Sequence, residues 1–551
     1  MRGGHYAPTI SSLKTMKHSV LIKCFLVLLT TGLWVSSMPP YNVAESAYVL
    51  FVPLLLWVST SPNWKSVTVV GLCSAFFSWL LLFVWLRHVT YIGTIILSFY
   101  LAFYALAWIY FVRFMWPRLL KKGYVARTFG SLSIAGAWVF LEWLRSYMIY
   151  GTPMAPLALS QWQRPVILQV SAWTGAYGVS FFLIFFNCCI ALAFFRLIQN
   201  RREMTVSRWF NTDFYTGVGS LLLLFFIFIQ CIPNNLNNER ESFDVAFVQP
   251  NFQPLREWDP LANSERLAVL ETEFRRVELL DFDALLLPEA VTANPVLGDY
   301  DTLYFFESWA QELQSSILSG NTAHIEDSLV WYNGVFKISP TNGLDPAFYA
   351  KRRLVPFGEY VPFPFDSVLK SFGAVQGSFK KGESLSLIPM TLNGHTFAFG
   401  SLVCYEDMFP DLARASVLGG ADVLFVATND AWYGEEGAAH FHAAHSTLRA
   451  VENRRPVLRS GNAGWSGWID AFGKVRFILT DSTQSIYFRG SGATTIHVNK
   501  SWSHRKSFYT ERGDWFVGVC LLLALTGYLI IPKTKHQATV SESSLCSSIN
   551  S

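Results

Sequence analysis

A multi-span α-helical membrane domain carrying an extracytoplasmic α/β domain is the fold class this sequence predicts, and three observations predict it. Of the 551 residues, 52% are hydrophobic and only 15% charged, with a mean hydropathy of +0.30, too apolar for an ordinary soluble protein. Apolar runs long enough to cross about 30 Å of hydrocarbon, which takes about 20 helical residues, recur through residues 1–233 and once more at 514–531. Between them, residues 234–513 alternate short β-like runs with amphipathic segments, the pattern of α/β layers around a sheet.

In chain order, the long runs fall near 19–37, 66–86, 89–115, 128–146, 167–195, 214–233 and 514–531. A shorter run at 47–61, which contains Pro53, is read as an eighth crossing because the charges require it, giving about seven spans in residues 1–233 and a C-terminal transmembrane helix at 514–531. With the N-terminus inside, the cation-rich loops then share one face: Arg2, Lys14 and Lys17; Lys65; Arg113, Arg118, Lys121, Lys122 and Arg127; Arg196, Arg201, Arg202 and Arg208; Lys533 and Lys535. That is the positive-inside pattern, and the opposite loops carry only Arg87 and Arg164. Residues 234–513 therefore fall outside the cytoplasm. The first run is read as a retained span, since Lys23 interrupts its start and no small-residue cleavage site stands near Met38. Residues 532–551 read as a cytoplasmic tail, disordered where six serines and no apolar periodicity occupy 537–551. The net charge of +4 is small for this length and no basic stripe with interleaved aromatics appears, so no nucleic-acid partner is expected.

In the outer domain, Phe243–Val248, Ala284–Leu287, Ser316–Gly320, Leu329–Ile338, Thr396–Val403, Asp422–Thr428 and Trp465–Asp470 read as strands. Glu265–Leu280, Leu303–Leu313 and Gly437–Asn453 read as helices. Cys404 ends the apolar run Thr396–Val403 and is followed by Tyr405, Glu406 and Asp407, with a turn at Pro410. It is the only cysteine between Pro233 and Asp514, so it has no disulfide partner within the domain. Glu289 likewise follows a buried strand, Ala284–Leu287, and Pro288. Lys351, Arg352 and Arg353 run into the apolar turn Val355–Pro362, which holds Glu359. Taken singly, each has a plainer reading: an inert buried thiol, a solvated loop acid, a solvated basic face.

Together these motifs resemble a known family. Glu289 after Leu286-Leu287-Pro288, Lys351 eight residues before Glu359, and Cys404-Tyr405-Glu406 are similar to the Glu–Lys–Cys triad of the carbon–nitrogen hydrolase (nitrilase) superfamily. With spans on both sides, the chain most resembles its membrane-embedded branch, the apolipoprotein N-acyltransferase family. Trp138, Glu142, Arg145, Gly151, Pro153 and Tyr177-Gly178 are similar to that family's membrane half. Gln249, Asn251, Trp258, Asn429-Asp430, Trp432, Gly434, His442, Arg449, Glu452, Arg459 and Asn462 are similar to its outer half. Leu287, Pro250, Thr152, Met154 and Thr447 depart from the pattern, and none of them is a triad member.

The resemblance implies a nitrilase-like α-β-β-α sandwich over 234–513, in the periplasm of a bacterium, with the spans in its inner membrane. It implies a ping-pong transfer without metal or cofactor, by a monomer. Cys404 would take an acyl chain from a membrane phospholipid as a thioester and pass it to the α-amine of a diacylglyceryl apolipoprotein. Glu289 is then the base and Lys351 the oxyanion partner, with Glu359 and Glu406 in support. An ordinary thiol with a pKa of about 8.5 needs about 2 kcal/mol to ionise at pH 7, a deficit that a nearby base and cation can cancel. Trp258, Phe357, Tyr360 and Phe363 are candidates for substrate contact or a lid at a lateral entrance; packing in the domain core is the other reading. Glu142 and Arg145, three apart on one helical face, either pair or meet lipid. His440, His442 and His445 are spaced i, i+2 and i+5, which does not put all three on one helical face, so no metal is expected. Two rivals stay open: a membrane-anchored amidase, in which water resolves the thioester, and a non-catalytic membrane receptor, in which none forms.

Overall fold

The computed structural model describes residues 19–203, 211–231, 240–254, 261–325, 330–361 and 379–531. Among these, seven helices are long and apolar enough to cross a membrane. Six come first: α1 (Val20–Ser37), α2 (Trp64–Leu82), α3 (Tyr91–Leu119), α4 (Tyr124–Tyr147), α5 (Ala176–Glu203) and α6 (Thr212–Cys231). The seventh candidate, Ser501–Ile530, comes last, and its long continuous helix is Trp515–Ile530. Indole and phenyl rings of Trp34, Phe51, Trp79, Trp108 and Trp138 meet at the centre of the bundle, with centroids as close as 4.6 Å.

The expected eighth span at 47–61 is not a continuous helix. It consists of a 3-10 turn, Ala44–Tyr48, and a seven-residue helix, Val52–Val58. Such a helix is about 10 Å long, where about 30 Å is needed. Pro53 lies in the first turn of the short helix; lacking an N–H, proline opens a helix readily but cannot continue one. The two ends of this passage nevertheless meet opposite ends of the bundle. Ala44 accepts from Gln161 (2.9 Å) on the side of the outer domain, while Ser59 and Pro62 accept from Trp116 (2.8 Å) and Arg113 (2.9 Å) near the far end of α3. The expected run at 167–195 is also divided, because Gly175, at φ +67, ends a short helix just before α5 begins.

Among the described residues, thirteen strands form the outer domain: β1 Arg240–Gln249, β2 Ala284–Leu287, β3 Ser316–Ile325, β4 Val330–Ser339, β5 Gly343–Leu344, β6 Tyr349–Ala350, β7 Leu387–Leu392, β8 His395–Val403, β9 Val423–Thr428, β10 Val457–Gly461, β11 Gly467–Ile469, β12 Val475–Ile478 and β13 Gly490–Asn499. One sheet runs β13-β1-β2-β3-β4-β5 with β6 beside β4, the other β12-β11-β10-β9-β8-β7. Parallel pairs β1/β2/β3 and β8/β9/β10 form their centres, and antiparallel strands flank them. Alternation sorts the faces. Phe243, Val245 and Phe247 enter the core between the sheets, while Ala246 and Val248 pack with Leu270 and Phe274 of α7 (Ala262–Val277) and Phe306 of α8 (Tyr300–Glu312).

The other outer layer is α9 (Pro410–Leu418) and α10 (Ala438–Asn453). α10 is buried along almost its whole length, with one stripe on each side. Ala439, Ala443 and Ala450 pack on the second sheet; Phe441, Ala444, Leu448 and Val451 join the core of the membrane bundle. Its polar side chains are buried as well, and His442, Ser446, Arg449 and Asn453 find hydrogen-bond partners inside the protein. The result is the α-β-β-α sandwich expected from the resemblance, seated on the bundle through its last layer. The final long helix is α11, Trp515–Ile530, which packs beside α4.

Candidate active site

Cys404 stands where β8 ends and a 3-10 turn, Cys404–Met408, begins. Its φ of +54° is a conformation that side chains other than glycine's adopt at a cost of about 1–3 kcal/mol, so the surroundings have to enforce it. Glu406 does so from one side. It accepts from the N–H groups of Val403 (2.8 Å), Arg352 (2.7 Å) and Arg353 (2.9 Å) and from the Tyr349 hydroxyl (2.9 Å). One buried carboxylate thus ties the segment after β6 to the turn that carries the thiol. On the other side, His442 Nε2 lies 3.1 Å from the Cys404 carbonyl oxygen. His442 is paired with Asp407 (2.9 Å) and Asp430 (2.8 Å), and Arg459 reaches the same two carboxylates at 2.8 and 3.3 Å. Burial and Arg459 oppose its charge, but the two carboxylates outweigh them and raise the His442 pKa to about 9.

Glu289 and Lys351 arrive from the first sheet. Glu289 follows β2, and one of its oxygens accepts from Asn333 Nδ2 (2.7 Å) and Lys351 Nζ (3.2 Å); the other accepts from the Asn429 N–H (3.0 Å) at the end of β9. Lys351 follows β6 and donates also to Glu359 (2.8 Å), which accepts from Asn333 (3.0 Å) and from the Val355 N–H (2.8 Å). The ends of β2, β6, β8 and β9 therefore converge on one buried cluster, a common placement for sites on parallel strands. The fit is close. A Cβ on Gly320 of β3 would stand 2.6 Å from the Pro288 carbonyl oxygen and 2.7 Å from both Glu289 Cα and Ala427 Cβ.

The electrostatics differ from the simple expectation of a preformed thiolate. Burial and then Glu289 push the Cys404 thiol well up, and Lys351 alone pulls it down. Two carboxylates beside one ammonium leave the cluster with a net negative charge, so the resting thiol keeps its proton. Lys351 is the converse case: burial opposes its charge, yet Glu289, Glu359 and Cys404 together hold it protonated, well above the ordinary lysine range. Burial likewise raises the Glu406 carboxyl, against its backbone donors. A neutral thiol, a carboxylate base and a fixed cation suit a reaction in which proton transfer accompanies attack.

Of the residues expected from the sequence, Glu289, Lys351, Cys404, Glu359 and Glu406 are brought together. Phe357 is 54% exposed, on the outer side of the Val355–Tyr360 turn whose inner side presents Glu359, and its N–H donates to the Tyr360 carbonyl. Tyr360 is half-buried. Trp258 and Phe363 lie outside the described residues, as does the tail at 532–551. Glu142 and Arg145 do not pair with each other. Arg145 donates to the carbonyls of Thr152, Met154 and Ala155, and Glu142 accepts from the Leu157 N–H (2.7 Å), so both brace the loop after α4. Of the three histidines, His442 is committed to its two carboxylates and to the nucleophile turn.

Asn333 was not legible as a site residue. Its only signal is an Asn-Gly pair inside a strand-like run, where a buried amide needs partners.

Comparison with known proteins matches this architecture. Residues 244–526 match the family profile described as carbon-nitrogen hydrolase, and residues 30–189 that of the apolipoprotein N-acyltransferase N-terminal domain. The chain is 28% identical over 524 residues to an apolipoprotein N-acyltransferase of Geobacter metallireducens, covering 90% of this chain and 93% of that one. It is 24% identical over 543 residues to one from Chlorobaculum tepidum, covering 92% and 96%. Among solved structures, Saccharomyces cerevisiae Nit3 of the nitrilase superfamily covers 50% of this chain and 95% of its own at 18% identity, with a TM-score of 0.36.

Proposed function

The chain belongs to the carbon–nitrogen hydrolase family, and from that premise we propose that its buried cluster performs the two half-reactions of an apolipoprotein N-acyltransferase. The observation that carries this reading is the convergence of Glu289, Lys351 and Cys404 on an outer domain seated directly on a membrane bundle. In the first half-reaction the Cys404 sulfur attacks an ester carbonyl of a phospholipid as its proton passes to Glu289. The oxyanion is stabilised by Lys351 and by the N–H groups that open the 3-10 turn after the thiol, which have no partner within the turn. Glu289 returns the proton to the departing lysophospholipid oxygen, and a thioester remains. In the second, the free α-amine of a diacylglyceryl apolipoprotein attacks the thioester, Glu289 takes the amine proton, and Cys404 leaves with it as the amide forms. Glu359 holds Lys351, Asn333 spaces the two carboxylates, and Glu406 fixes the turn. The membrane half supplies both substrates from the bilayer, and the distribution of cationic loops supports an orientation with the outer domain on the side away from the cytoplasm, which in a bacterial inner membrane is the periplasm.

The test is to incubate the purified protein with a phospholipid carrying a labelled acyl chain. Label on Cys404 that neutral hydroxylamine releases, absent in Cys404→Ala and chased onto a diacylated lipopeptide with a free N-terminus, is the expected result. Label chased equally by water alone would make the protein an amidase-type hydrolase, and a folded protein that takes no label from any phospholipid would overturn the catalytic reading.

A further inference from the structure

At the opposite end of α10 from the thiol, a cavity of about 400 Å³ opens where α6 ends, beside the turn before α5 and the segment that leads into α11. Its wall carries three cations, Arg454, Arg505 and Lys506, and three aromatics, Trp173, Trp502 and Phe508, with no carboxylate among the described lining residues. Arg454 is only 2% exposed. It donates to the Gln169 side chain (2.7 Å) and the Ala471 carbonyl (3.2 Å) and lies over the rings of Phe472 and Trp502. Among the described residues none of the three cations forms an ion pair. Its hydrogen-bond partners are neutral, so the buried guanidinium has lost its water without a carboxylate in direct contact. Burial accordingly lowers its pKa to about 10, with Cys231 and Asp470 opposing.

The level of the cavity is as telling as its charge. It is bounded by the ends of membrane helices, and Trp515 donates to the Trp173 carbonyl (2.8 Å) while stacking edge-on against Phe508. Tryptophans gathered at the ends of spans, here Trp173 and Trp515, mark the bilayer–water boundary. We propose that this cavity binds the phosphate of an anionic membrane phospholipid, in a site separate from that of acyl transfer. Three cations on the wall of one cavity favour a headgroup with net negative charge over a zwitterionic one. Separation follows from α10 itself: His442, which touches the Cys404 carbonyl, and Arg454 are twelve residues apart, about 18 Å along a helix. The ester carbonyls of a glycerophospholipid stand only a few bonds from its phosphate, too few to reach the thiol from here. The bound lipid would instead join α6, the turn before α5 and the segment before α11 to the outer domain.

The experiment is native mass spectrometry of the full chain, in a Cys404→Ala background so that no donor is consumed, after reconstitution in equal phosphatidylglycerol and phosphatidylcholine. The expected result is one phosphatidylglycerol retained under activation that strips phosphatidylcholine, with retention about tenfold lower in Arg505→Gln/Lys506→Gln. These two side chains are exposed, so the variant tests binding without disturbing the buried Arg454, and in a Cys404 background it should keep its acyl-transfer rate. Equal retention of the two lipids, or phosphatidylglycerol retention indifferent to the double substitution, would overturn the proposal. Retention of inorganic phosphate at millimolar concentration with no lipid ever retained would also overturn it, in favour of a soluble anion. Lipid retention is read independently of thioester chemistry, so failure here and failure of the acyl-transfer reading are distinguishable.

Discussion

Asn333 donates to two carboxylates at once, 2.7 Å to Glu289 and 3.0 Å to Glu359, and Lys351 sits between the same two acids. Removing the amide leaves Glu289 free to swing fully onto the lysine, away from the thiol. We expect Asn333→Ala to lower the rate of thioester formation by about 10²-fold, the scale of an ångström's misplacement, with folding intact by circular dichroism. Lys351→Met should cost about 10²–10³-fold through loss of the oxyanion partner, without abolishing substrate binding. His442 makes a different prediction. Its folded pKa of about 9 exceeds the ordinary histidine value, so its contribution to stability is complete below about 6.5 and is lost as pH rises through about 9. The thermal midpoint should therefore fall across that window. In His442→Gln that part of the slope should vanish, and the protein should lose about 3–5 kcal/mol because Asp407 and Asp430 are left facing a single cation. A midpoint that falls equally in wild type and variant over that window would contradict this account.

Elements place those residues, and Gly320 shows how little room they leave. It lies within β3, yet it is needed as glycine because Pro288, Glu289 and Ala427 crowd the space where a Cβ would stand. Gly320→Ala should push the Glu289 segment away from Cys404, lowering acylation by about 10²-fold while costing about 1–3 kcal/mol of stability. Measuring both separates the displaced base from a general loss of fold. What was legible in the sequence follows the same physics. β2 and the C-terminal half of β8 are buried on both faces, so their continuous apolar runs stand out, and the acid and thiol at their ends are found with them. β10 was not found, because it carries Arg459, whose buried charge is met by Asp407 and Asp430, 52 and 29 residues away. β13 is a Gly- and Thr-rich segment whose order comes from its long pairing with β1, and α9 is nine residues long and begins at Pro410. The run at 47–61 is read as a span from charge alternation, which reports where a chain crosses and says nothing of how it is folded while crossing.

At the scale of the whole molecule, the decisive contact is the bundle face of α10. Phe441 meets Phe83 and Trp85 with ring centroids 5.8 and 5.9 Å apart. At the other end of the helix, Glu452 accepts from the N–H of Ala176, the first residue of α5 (2.8 Å). The nucleophile turn is bonded to this helix through His442, so the helix fixes the height of the thiol above the bilayer as well as the orientation of its loop. Phe441→Ala removes the aromatic anchor and should cost about 3–5 kcal/mol, loosening the domain on its seat. If the seat serves to present the thiol to membrane-borne substrate, two reactions should separate. Transfer from phospholipid in vesicles should fall markedly, while acylation of Cys404 by a short, water-soluble activated ester, which needs only the triad, should stay within a few-fold of wild type. Equal loss of both would mean that the helix acts through the triad geometry alone. Loss confined to the phospholipid reaction would identify the α10 face as the feature that commits this cysteine-hydrolase scaffold to donors held in a membrane.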